Sequence, residues 1–141
     1  MTRENTLPVS KEYENKNDSN SNKTELLYKV KRIEKPWGYE LWWALTDKYV
    51  GKVLHINKGE SLSYQYHEVK DETIYLYSGE MLMEVEENKS REEAVIREGS
   101  AIRIRPYTKH RMTAITDCDV LEASTPEVED VVRLEDKYGR V

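Results

Sequence analysis

From Tyr39 onward, apolar and polar residues alternate in short runs: YELWWAL, YVGKVLHI, SLSYQYH, ETIYLYS, EMLMEVEE, EAVIRE, SAIRIRP, KHRMTAI and DVLEAST. β-branched and aromatic residues fill these runs, and helical periodicity is nearly absent, so each run predicts a strand. Asp47, Asn57-Lys58-Gly59, Ser78-Gly79, Glu87-Asn88, Glu98-Gly99 and Asp117 mark the breaks between them, and Pro36-Trp37-Gly38 reads as an earlier turn. Many short strands at regular spacing predict an all-β sandwich or barrel. Two stretches are less clear. Glu25 to Ile33 fits a short strand or one helical turn, and PEVEDVVRLEDKYGRV fits strand, turn or short helix. The charge run Glu86 to Glu93 is expected to be a solvated hairpin loop.

Residues 1–24 are rich in Asn, Ser, Lys and Glu and show no periodicity. Such a segment cannot offset its ordering entropy by burial, so a disordered N-terminal tail is expected there, followed by one domain over residues 25–141. The 141-residue length suits a single domain. The formal charge of −5, with scattered lysines and arginines, argues against nucleic acid or an anionic membrane as partner. No apolar run approaches the ~20 residues of a membrane-spanning helix. The single cysteine, Cys118, excludes an intrachain disulfide and suits a reducing cytoplasm, where the protein is expected.

Side-chain parity gives the polar residues of two runs a meaning. In SLSYQYH, Ser61, Ser63, Gln65 and His67 share one face, and Leu62, Tyr64 and Tyr66 the other. Glu72, Ile74 and Leu76 share a face of ETIYLYS, and Glu72 joins Gln65 and His67 if HEVKDE reverses the chain. Tyr64, Tyr66, Tyr75 and Tyr77 would then form an aromatic patch on the opposite side, suited either to packing against a second sheet or to a dimer interface.

The spacing carries a resemblance. Gly59, five residues, Gln65, one residue, His67, four residues, Glu72, six residues and Gly79 resembles the first motif of the cupin superfamily, with Gln65 in place of one histidine. Gly99 through Arg105, Tyr107 and His110 to Ala114 keeps the intervals of the second motif, with Arg105, Tyr107 and Ala114 where proline, glycine and asparagine are usual. Together with KPWGYE and the terminal VVRLEDKYGR, the pattern is similar to the cupin domain of type II phosphomannose isomerases, without their guanylyltransferase domain. The resemblance implies a cupin barrel of the double-stranded β-helix or jelly-roll type, and with the tyrosines it implies a homodimer. It also implies a divalent metal held by Gln65, His67, Glu72 and His110. A donor set of two imidazoles, one carboxylate and one amide oxygen suits Zn, Mn, Fe, Co or Ni, and leaves residual positive charge to polarise a substrate oxygen.

The activity implied is metal-dependent aldose–ketose isomerisation of a hexose phosphate, as in mannose-6-phosphate isomerase. Arg103, Arg105 and Lys109 are candidates for a phosphate clamp, with a solvated outer face as the alternative. Arg133 is a candidate substrate contact or a salt-bridge anchor for the terminal segment. The general base is unassigned among Glu84, His55 and Lys109. Two other readings stand beside the isomerase. One is a non-catalytic cupin that binds a small anionic or sugar ligand, favoured if bulky Tyr107 crowds the metal's mouth. The other is an Fe-dependent, oxygen-using cupin.

Overall fold

A computed structural model describes residues 27–141; the expected N-terminal tail lies outside the described residues. Eleven strands run in chain order: β1 Lys31–Lys35, β2 Gly38–Leu45, β3 Val50–Ile56, β4 Tyr64–Tyr66, β5 Glu72–Ser78, β6 Glu80–Glu87, β7 Ser90–Arg97, β8 Ala101–Ile104, β9 His110–Ala114, β10 Cys118–Ser124 and β11 Val132–Glu135. They form two sheets, in orders β1-β2-β3-β10-β5-β8 and β11-β4-β9-β6-β7, and every pairing is antiparallel. From β4 onward the chain crosses repeatedly between the sheets, as a jelly-roll barrel does. Both unclear stretches resolve as edge strands: β1 pairs with β2, and β11 pairs with β4.

The inner faces of the two sheets enclose the core. Leu54, Ile56, Ile74, Leu76, Val120 and Ile104 come from the first sheet, and Met81, Met83, Met112 and Ala114 from the second, with Trp37 and Leu62. The three methionines suit an irregular gap between curved sheets, because their unbranched side chains adapt to it. Gly79 makes the β5–β6 reversal possible. It sits at φ +97°, and a Cβ there would collide with the backbone carbonyl of Asp117.

Three sequence expectations need correction. The run from Glu86 to Glu93 is the end of β6 and the start of β7, joined by a two-residue turn at Asn88-Lys89 with both φ positive (49° and 64°). This is the geometry that matches strand twist in tight hairpins. SLSYQYH is a strand only over Tyr64–Tyr66, preceded by an isolated bridge between Ser61 and Thr113. Strict alternation fails between them, so Leu62 reaches the core although its parity partner Tyr64 points to the other side of the second sheet, against Arg91. The four tyrosines do not make one patch, because β4 and β5 belong to different sheets. Tyr64 is buried beneath Arg91 and Tyr66 stacks on Tyr107, while Tyr75 and Tyr77 are exposed on the first sheet.

Candidate functional site

Polar side chains enter the barrel at one end. In the second sheet Arg133 pairs with Gln65, and Gln65 with His110, so these residues share one row across β11, β4 and β9. In the first sheet Glu72 opens β5 on the same side as Ile74 and Leu76, which are buried. His67 follows β4 directly. The loop from His67 to Glu72 therefore carries the chain from one sheet to the other, with a ligand-type side chain at each end.

Ligand atoms of His67, Glu72 and His110 lie within 4.8 Å of one another, and all three residues are buried. Glu72 Oε1 is 3.2 Å from His67 Nε2 and 3.3 Å from His110 Nε2. The opposite ring nitrogens are engaged elsewhere. His67 Nδ1 is 2.5 Å from the carbonyl oxygen of Asp130, and His110 Nδ1 is 2.8 Å from that of Thr108. A carbonyl only accepts, so each Nδ1 donates, and the neutral rings turn their Nε2 lone pairs toward Glu72. His110 Nε2 is buried with no hydrogen-bond partner, although Glu72 Oε1 lies 3.3 Å away. Burial disfavours the charge on Glu72, but hydrogen bonds donated by His110 and His67 when their Nε2 atoms carry a proton, and the Lys70 ammonium, outweigh it and hold the carboxyl well below the usual carboxylate range; with both rings neutral the support from the rings is gone. Three acceptor atoms facing one another in a dry pocket repel unless a cation lies between them. The donor set, two imidazole nitrogens and one carboxylate oxygen, suits a divalent transition metal. Gln65 lines the same cavity, and its Oε1 accepts from Ser63 Oγ at 2.6 Å.

The Asp130 loop holds this arrangement from outside. Its carboxylate accepts from the backbone N–H groups of Glu68, Val69 and Lys70 at 3.1, 2.7 and 2.8 Å, while its carbonyl takes His67. On the other side, Tyr107 N donates to His67 O at 2.6 Å. Tyr107 adopts φ +64°, a left-handed conformation, where the resembling motif has glycine. Its ring does not enter the cavity; it is 68% exposed and stacked on Tyr66.

His67 and Glu72 open on a cavity of about 90 Å³. Its floor is a row of buried alternating charges. Lys70 Nζ bridges Glu72 Oε2 at 3.0 Å and Glu122 Oε2 at 3.3 Å, and further along Lys52 Nζ lies 3.5 Å from Glu40 Oε2, which also accepts from Trp42 Nε1 at 2.7 Å. Register explains the row: Trp42 pairs with Lys52, and Lys52 with Glu122, across β2, β3 and β10. Burial, then the neighbouring Glu72, pushes the Glu122 carboxyl up to about 7. Burial alone would lower Lys70, but Glu122 and Glu72 raise it to about 12. The half-buried rim carries Lys35, Arg133 and Arg140. Arg140 is tied to Asp136 at 2.8 Å, whereas neither Lys35 nor Arg133 has a carboxylate partner among the described residues, and Arg133 Nε is buried without a partner. Five cationic and four acidic side chains line the cavity, so a bound divalent ion leaves a positive excess.

Sequence reasoning brought His67, Glu72 and His110 together and put Gln65 and Arg133 beside them. The other predicted contacts are not among the cavity-lining residues. Arg103 pairs with Asp71 at 2.6 Å on the outer face, Arg105 is exposed, and Lys109 lies 3.6 Å from Glu86. The alternation of β8 with Ile102 and Ile104 turns Arg103 outward, as a solvated face requires. The base candidates are also elsewhere. Glu84 is clamped by Arg111 and Arg91 at 2.6 and 2.7 Å, and His55 lies against Asp119 at 2.7 Å. Glu40, Lys52, Lys70 and Glu122 went unread. The available signal was a charged residue at an inward position of an otherwise apolar strand face, as Lys52 is between Val50 and Leu54.

Among the described residues no helix is long and apolar enough to cross a membrane. A comparison with curated protein sequences finds no match. Solved structures with a similar fold include the capsular polysaccharide assembling protein CapF from Staphylococcus aureus (TM-score 0.64, 16% identity, 79% of this chain and 34% of that one). Others are KdgF from Halomonas sp. (TM-score 0.60, 18% identity, 72% and 91%) and oxalate decarboxylase from Bacillus subtilis (TM-score 0.66, 12% identity, 74% and 30%). The chain thus aligns with about a third of CapF and of the decarboxylase. At these identities the likeness speaks for the fold alone. The sequence itself matches the Cupin domain family over residues 52–123, half of its length and all three residues of the triad, and on that match the chain belongs to the cupin superfamily.

Proposed function

We propose that this cupin is a metal-dependent aldose–ketose isomerase of the mannose-6-phosphate isomerase type, acting on a small phosphorylated sugar. The observation that carries the reading is the convergence of His67 Nε2, His110 Nε2 and Glu72 Oε1 beside a rim whose Lys35 and Arg133 lack carboxylate partners. His67, Glu72 and His110 would hold the metal, with Gln65 beside them, and the ion would supply electrostatic stabilisation of negative charge at the sugar's C1 and C2 oxygens. Lys35 and Arg133 hold the phosphate, Arg133 with the planar fork that matches phosphate oxygens. Glu40 moves the proton between C1 and C2. Its Oε2 is occupied by Trp42 and Lys52, which leaves Oε1 without a donor among the described residues and able to face substrate. Trp42 and Lys52 orient that carboxyl. The buried floor limits water access to the reacting carbons.

This reading keeps the expected homodimer, with the exposed Tyr75 and Tyr77 face of the first sheet as the contact, and the expected cytoplasmic location. The test of activity is conversion of mannose 6-phosphate to fructose 6-phosphate by protein loaded in turn with Zn, Mn, Co and Fe(II). Turnover that is lost in Glu40→Gln, with metal retained, supports the assignment. No turnover with any metal-loaded form rejects it, and sugar-phosphate binding without turnover would identify a binding module instead.

A further inference from the structure

Lys70 and Glu122 lie against the triad without belonging to it. Lys70 stands in the loop between His67 and Glu72, with its ammonium 3.0 Å from Glu72 Oε2 and 3.3 Å from Glu122 Oε2. Both side chains are about nineteen-twentieths buried, at 6% and 5% exposure. Glu122 comes from the middle of β10, between inward-facing Val120 and Ser124. One lysine therefore bridges two acids, and only Oε1 of Glu72 is left to the ring nitrogens.

An ionised carboxylate can give a metal one oxygen or two, and a second carboxylate beside a divalent ion is drawn into its ligand set. We propose that Lys70 is a positioning residue: a resident cation that restricts Glu72 to one-oxygen ligation and keeps Glu122 off the metal. The inference rests on reading the triad as a metal centre. It makes a prediction of sign that a packing role does not. A fixed positive charge this close to a divalent ion weakens its binding, and the acid that balances that charge strengthens it. Removing Lys70 must therefore tighten metal binding, and neutralising Glu122 must loosen it.

The experiment is titration of chelator-stripped full-length protein with cobalt(II) chloride at pH 8. Dissociation constants are read by competition with a chromophoric chelator, and coordination from the visible d–d spectrum. Wild type, Lys70→Met, Glu122→Gln, the double variant and Lys70→Arg are compared. Lys70→Met should bind Co(II) about tenfold or more tightly, with a changed spectrum, and Glu122→Gln about tenfold or more weakly, a floor set well below the roughly thousandfold effect of one unit charge about 4 Å away at an effective dielectric near 20. The double variant should return to within about threefold of wild type, because the lost positive and the lost negative charge offset each other. Lys70→Arg should keep the wild-type spectrum. Weaker binding in both single variants, or a Lys70→Met protein with unchanged affinity and spectrum, overturns the inference. Should Lys70→Met not fold, recovery of affinity in the double variant relative to Glu122→Gln carries the test, and its absence overturns the proposal. No Co(II) binding by wild type would overturn the metal reading itself, a distinct outcome.

Discussion

Replacing Asp130 with alanine probes how the β10–β11 loop holds the site together. The carboxylate caps three backbone N–H groups in the stretch that joins His67 to Glu72, at 2.7 to 3.1 Å. Glu68 and Val69 are exposed, so their N–H groups can turn to water. Lys70 is buried, and its N–H is left unpaired at a cost of about 1–3 kcal/mol. With a smaller loss from the two exposed bonds, the variant should be less stable by about 2–3 kcal/mol, a fall in Tm near 10 °C for a domain of this size. The backbone carbonyl of residue 130 that holds His67 Nδ1 remains in the variant, but the loop that carries it loses its three anchoring bonds, which loosens the hold on the ring. Disturbing such a support typically weakens metal affinity by about 10–100-fold. The pH dependence has a definite sign. The N–H of Lys70 first, then those of Val69 and Glu68, outweigh burial and hold the Asp130 carboxyl below its usual range. Its contribution is therefore fully present above the unfolded value of about 3.9 and fades as pH falls through the lower folded value. Thermal unfolding of apo wild type and Asp130→Ala, followed by circular dichroism from pH 7 to 2.5, should show a gap in Tm that closes only below about pH 4. A gap under about 2 °C at pH 7, together with unchanged Zn affinity, would refute the reasoning.

Three further outcomes follow from the same geometry. Gly79→Ala should cost upward of about 3 kcal/mol or prevent folding, because its Cβ meets the Asp117 carbonyl, whereas Gly99→Ala, at φ +90° in open space, should cost about 1 kcal/mol; denaturant unfolding separates them. Arg133→Ala should raise KM for the sugar phosphate about tenfold or more, while Arg103→Ala, on the outer face with Asp71, should leave it unchanged in steady-state assays. Stripping the metal with a chelator should lower Tm by about 10 °C relative to protein with the ion at about a hundred times its dissociation constant, and readdition should restore it.

Strand content was legible because alternation and turn residues are local properties. The first motif was legible because one short loop carries both His67 and Glu72. His110 followed from the interval after Gly99, and β9 brings it to Gln65. What stayed hidden depended on pairings between distant parts of the chain. Asp130 reaches the His67 loop across 60 to 62 residues, and nothing in the run PEVED announces three backbone bonds. Lys52 and Glu122 each look anomalous within an apolar strand face, and they become a charged floor only through the register of β3 with β10. The tyrosines divided because adjacent strands in sequence, β4 and β5, lie in different sheets. Tyr107 replaces glycine at a positive φ, and sequence cannot say that its ring turns away from the cavity to stack on Tyr66.

The most direct measurement is metal analysis of full-length protein purified without chelators or a metal-binding tag, beside a variant carrying Glu72→Gln and His110→Ala. One divalent ion per chain is expected in the wild type and none in the variant. A folded wild-type protein that retains no metal, and takes up none when offered Zn, Mn or Co, would contradict a metal centre at His67, Glu72 and His110.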